Sequence, residues 1–96
     1  MILLNIDYIP GKEFEVLGMA KGSVVQSKNI GRDVLSGFKT IVGGEIKAYT
    51  EMMNEARAIA TQRMAEEAQS LGADAVINIR YASAAIMQGA AEVMAY

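Results

Sequence analysis

Residues 42–76, VGGEIKAYTEMMNEARAIATQRMAEEAQSLGADAV, decide how this chain is built. Gly43-Gly44 opens the stretch, Gly72 closes a long helical pattern, and an apolar run from Ala75 follows directly. Within it Tyr49, Met52, Met53, Ala56, Ala60, Met64, Ala68 and Leu71 recur at spacings of three, four or one, which is one buried face of a helix. Lys47, Glu51, Glu55, Gln62, Arg63, Glu66 and Glu67 fall on the remaining surface, so the pattern predicts a helix over about 45–70. Gly72 stands where a glycine in the left-handed conformation ends such a helix.

Working outward, residues 2–6 form a short apolar run that stops at Asp7 and the turn signal Ile9-Pro10-Gly11. Acids alternate with Phe14 and Val16 from Glu13, and the strand pattern resumes through Met19 to Gln26. Gly18 interrupts it as a bulge or a close backbone contact would, and one long bent strand is expected. Asn29 suits an N-cap for a short helix over 30–41, where Ile30, Val34, Leu35, Phe38 and Ile41 keep helical spacing up to Gly43-Gly44. Beyond the long helix, 75–81 read as a strand with Ala75, Ile77, Ile79 and Tyr81 on one face. Val76, Asn78 and Arg80 take the other face, which is wet or meets a polar partner. Gln88-Gly89 signals a turn, and Ala91 to Tyr96 a last strand pairing back antiparallel. The order β-β-α-α-β-β predicts a single α+β domain over 1–96, with helices on one face of a mostly antiparallel sheet.

Composition narrows the chemistry. Of 96 residues, 52% are apolar, much of that share alanine, so apolar surface on so short a chain favours self-association. Nine basic and eleven acidic residues are interspersed for a net charge of −2, which leaves no basic patch for nucleic acid. There is no cysteine and no histidine. Disulfides, thiolate metal sites, the commonest general base and the commonest transition-metal ligand are excluded together. The apolar start, broken by Asp7, is too short for a signal peptide or a membrane span, and a cytoplasmic protein is expected.

The blocks Gly22-Ser23-Val24-Val25, Asn29, Arg32-Asp33, Val42-Gly43-Gly44-Glu45, Tyr49-Thr50-Glu51, Ala56-Arg57, Ala60 and Leu71-Gly72-Ala73-Asp74-Ala75-Val76 occur in this order along nearly the whole chain. In these residues the sequence resembles the YbjQ-like family of small bacterial proteins, which carries a heavy-metal-binding label and no settled function. The resemblance implies an α+β fold and a ring-like homo-oligomer, a pentamer. A metal ion is suggested by that label alone. Many relatives have Arg-Ser after the glycine pair, where this chain has Glu45-Ile46. Relatives also continue past the last strand, where this sequence stops at Tyr96.

Each candidate site has a plainer alternative. The seven methionines offer soft thioether sulfur, but Met52, Met53 and Met64 lie on the buried helix face, where packing is the preferred reading. Hard-cation binding by Asp7, Asp33, Glu45, Glu51 or Asp74 requires folding or assembly to gather them. Gly43-Gly44 offers backbone amides to an anion, but Glu45 already supplies negative charge and no lysine-hydroxyl pair follows. Arg32-Asp33 and Arg57 suit intersubunit pairing, with a solvated surface as the alternative. The ligand-binding candidates are therefore Asn29, Arg32, Asp33, Gly43, Gly44, Glu45, Tyr49 and Arg57; no catalytic residue is assigned. A self-assembling binding or structural protein with a small ligand or ion at subunit interfaces is the leading expectation. The alternative is a small enzyme without His or Cys, its interfacial site built from Arg32, Asp33, Tyr49 or Glu51.

Overall fold

The structure, a computed structural model, describes residues 1–27 and 47–96. The helix expected over 30–41 and the Gly43-Gly44 corner lie outside the described residues. The elements in chain order are β1 (Ile2–Leu3), β2 (Gly22–Ser27), α1 (Lys47–Ser70), β3 (Ala75–Val76), β4 (Tyr81–Met87) and β5 (Ala90–Ala95). One helix packed on a three-stranded antiparallel sheet, of order β2-β5-β4, makes this a small α+β domain. A parallel pair of β1 with β3 stands beside it.

The helix follows its sequence pattern closely. Met52, Ala56, Ala60, Met64 and Ala68 are buried, four residues apart throughout. That is a single ridge of the helix surface, laid over β2 and β5. Tyr49 and Met53 are half-buried at the margin of the ridge, and Leu71, expected on it, is exposed because the helix has already ended. At that end Gly72 adopts a φ of +81°. Its amide donates to Gln69 O at 2.9 Å and that of Ala73 to Ala68 O at 3.1 Å. This paired closure satisfies two carbonyls that the last turn leaves free, as the glycine predicts.

The sheet contributes Val24, Val93, Ala91 and Ala95 to the core beneath the helix. Register places Gly22 opposite Ala95 and Val24 opposite Val93, all facing α1. Gly22 is the point of closest approach. A Cβ built on it would overlap Ala60 O and Met64 N, both helix backbone. Only glycine lets β2 pass so near the helix, and Ala60 on the facing side adds no bulk.

Two strand expectations need correction. The long strand over 13–26 is realised only as β2, Gly22–Ser27. Residues 13–21 contain no strand, because they find no partner strand among the described residues. Gly18 there adopts a φ of +147°, a conformation that side-chain-bearing residues rarely take. The strand over 75–81 is likewise split. β3 pairs with β1, Asn78 takes a left-handed φ of 57°, and the chain re-enters the other sheet as β4. Asparagine tolerates that conformation better than most residues. The turn at Gln88-Gly89 and the antiparallel last strand are as expected, with β5 pairing both β4 and β2.

The two sheets meet at residues 78–80. The amides of Asn78 and Ile79 donate to Ile6 O and Leu4 O at 2.8 and 3.1 Å. Arg80 exchanges both backbone hydrogen bonds with Tyr96, at 2.7 and 2.9 Å, and its Nη1 donates to Asn5 O at 2.9 Å. Adjacent residues thus tie the N-terminal segment on one side and the end of β5 on the other.

Gly22→Ala is expected to lower stability by about 2–3 kcal/mol, because backbone on both sides must move. Gly72→Ala, opposed only by its dihedral, should cost about 1 kcal/mol. Urea denaturation of the two variants checks the order. Equal costs would contradict the close contact.

Candidate functional site

Polar side chains tie α1, which lies over β2 and β5, to the two strands that flank β5. Thr61 Oγ1 donates to Arg57 O at 2.7 Å, a bond back along the helix, and lies 2.7 Å from Tyr81 Oη. With its own proton committed to Arg57 O, Thr61 accepts from the Tyr81 hydroxyl. Two residues further on, Arg63 Nη1 donates to Ser23 O at 2.7 Å, tying the helix to β2 beside Gly22. These residues fasten helix to sheet. Their spacing in the chain, 20 residues for Thr61 and Tyr81 and 40 for Arg63 and Ser23, hid them from the sequence reading. Arg80 gave a signal, a charge between apolar neighbours, and the polar partner expected on its face is Asn5 O.

Of the sequence-derived candidates, Asn29, Arg32, Asp33, Gly43, Gly44 and Glu45 lie outside the described residues. Tyr49 and Arg57 are both on α1. Tyr49 is half-buried near the start of the helix, and Arg57 is exposed with Nη1 donating to Asn54 Oδ1 at 2.8 Å. Eight residues of helix separate them by about 12 Å along the axis, so one chain does not bring them to a common ligand. Tyr49 and Glu51 are two residues apart and diverge by about 200° around the helix, which argues against a joint acid and base role. Arg57 is an exposed cation one turn before Thr61, whose Oγ1 donates to its carbonyl. No helix among the described residues is long and apolar enough to cross a membrane.

Comparison with known proteins assigns the lineage. The profile of a bacterial family described as "Putative heavy-metal-binding", YbjQ, matches residues 1–96. The chain belongs to the YbjQ family. A UPF0145 protein of Clostridium novyi is 72% identical over 96 residues, covering 100% of this chain and 93% of the relative. UPF0145 proteins of Alkaliphilus metalliredigens and Thermotoga maritima are 68% and 56% identical, covering 100% of this chain and 93% and 92% of theirs. None of these names carries an activity.

The donor set of this YbjQ chain does not fit a heavy metal. Thiolate and imidazole are absent from all 96 residues. Met52 and Met64 are fully buried in the core, and three turns of helix hold them about 18 Å apart along the axis. Among the described residues no three carboxylates gather into a cation site, and Asp7, Glu51 and Asp74 are dispersed.

Protein purified without chelator or affinity tag is expected to carry no stoichiometric zinc or copper by elemental analysis, and to take up neither on titration. A saturable, stoichiometric uptake would contradict the donor argument. For the Thr61–Tyr81 bond, Tyr81→Phe should cost about 0.5–1.5 kcal/mol, and adding Thr61→Val should cost less than it does alone, since both remove one hydrogen bond. A double-mutant cycle in urea measures the coupling, and strict additivity would show the bond to be absent in solution.

Proposed function

We propose that this protein is a self-assembling cytoplasmic ring, a homo-pentamer, that holds a small ligand or ion where its copies meet. The supporting observation is β4, whose seven residues are all exposed although the strand carries no charged side chain. An uncharged, proline-free strand at a sheet edge is what monomeric proteins ordinarily avoid. The outer sheet face points the same way. Val25, Ala82, Ala84 and Met87 lie there exposed with Glu92 as the charge among them.

The number five comes from the family resemblance.

A ligand at such an interface would be met by Arg57 and Tyr49 of α1, with Asn29, Arg32, Asp33, Gly43, Gly44 and Glu45 as further candidates. Their separation on one chain is no obstacle if a second copy supplies the missing side of the site. Oxygen and nitrogen donors suit an anion or a hard cation, not a soft metal.

Sedimentation equilibrium is expected to give a single species of about 50 kDa, five times 10.3 kDa. A species of 10.3 kDa at micromolar concentration would remove the proposal.

A further inference from the structure

We propose that residues 13–19 become a β-strand on assembly, by adding to the free edge of β4 in a second copy of this chain. The inference rests on the assembly reading above and specifies the surfaces that carry it.

The donor segment reads Glu13-Phe14-Glu15-Val16-Leu17-Gly18-Met19. Its alternation and its β-branched and aromatic residues are those of a half-buried strand. Yet it makes no backbone hydrogen bond among the described residues; the turn bond from Lys12 N to Ile9 O lies just before it. Val16 is 81% exposed and Met19 88%, and Phe14 and Leu17 are also open to solvent. Sequence that encodes a strand and finds no partner among the described residues is complementary to an edge that has none there either.

That edge is β4. One side of it pairs with β5, and the other has no partner strand among the described residues. The bulge between Ala85 and Met87 is confined to the hairpin end, so Tyr81–Ala85 present a regular row of amides and carbonyls. Side chains fit as well. Ala82, Ala84 and Ala85 are small and leave room for Phe14, Val16 and Leu17, while Glu13 and Glu15 fall together on one side of an added strand.

Connectivity assigns the edge to a second copy. Residue 22 begins β2, at the opposite end of the order β2-β5-β4. A strand beyond β4 in the same sheet stands three strand spacings from β2, about 14 Å. The chain from Met19 to Gly22 spans at most about 11 Å. The segment cannot lie along its own β4 with its last residue beside β2, but it can reach that of a neighbour. Such head-to-tail exchange, repeated, closes a ring.

The absence of cysteine makes the test clean. Full-length Val16→Cys is mixed with Ser83→Cys, Ala84→Cys or Ala85→Cys and oxidised, with Glu55→Cys, on the exposed helix surface, as the reference partner. A mixed disulfide forms only where Cβ atoms come within about 4.5 Å. The proposal expects preferential cross-linking of Val16→Cys to at least one β4 position over Glu55→Cys. A chain that sediments as an oligomer with no such preference would overturn this inference and leave the assembly reading standing. A monomer would overturn both. Independently, Val16→Pro removes one amide from the added strand at a side chain that touches little in its own subunit. It should weaken subunit association by about tenfold, with the helical circular dichroism unchanged. Unchanged association would count against the strand.

Discussion

The contact between Gly22 and the helix backbone at Ala60 and Met64 is the constraint from which the rest of the structure follows. With no Cβ in the way, β2 lies close enough for Val24, on the same face, to join Ala56, Ala60 and Met64 in the core. The alanines on the helix ridge have the same consequence from the other side: a small side chain every fourth residue brings the axis down onto the sheet. Arg63 then fixes the position along the strand by its bond to Ser23 O, the residue next to the contact. A core of alanine, valine and methionine is shallow, and each side chain removes little area from water. Such a core tolerates no gap, which is why close approach matters more here than in a domain filled by large aliphatic residues.

The second organising feature is the joint at residues 78–80, where a left-handed Asn78 moves the chain from one sheet to the other. Because Arg80 holds both Asn5 O and the end of β5, the small parallel pair is anchored to the main sheet without a shared strand. The helix lies over β2 and β5, and β4 is left as an edge. Tyr81 reaches back to Thr61 at one end of that edge, and the rest of it faces solvent. Among the described residues, covering of the core and exposure of β4 therefore have one cause: α1 is too narrow to roof three strands.

For function, the same geometry separates what one chain can do from what several can. Arg57 and Tyr49 do not converge within a subunit, and the carboxylates are dispersed. A chain without cysteine or histidine lacks the commonest general base and the commonest transition-metal ligands. The family description names a heavy metal, whereas a chain without thiolate or imidazole offers mainly oxygen donors.

The sequence by itself determined the long helix, its buried ridge, its glycine stop, the Gln88-Gly89 turn, the α+β class and the family. These are local matters: helical period and turn chemistry are written in neighbouring residues. Of the candidate site residues, Tyr49 and Arg57 were placed on the helix correctly, but whether they share a ligand was not legible, since that depends on which surfaces meet. Tertiary structure alone decided that 13–21 lack a partner strand among the described residues, that 75–81 divide between two sheets, and that Arg63, Thr61 and Arg80 reach Ser23, Tyr81 and Asn5. A strand exists only when another backbone pairs with it, and no periodicity within a segment says whether that partner is present.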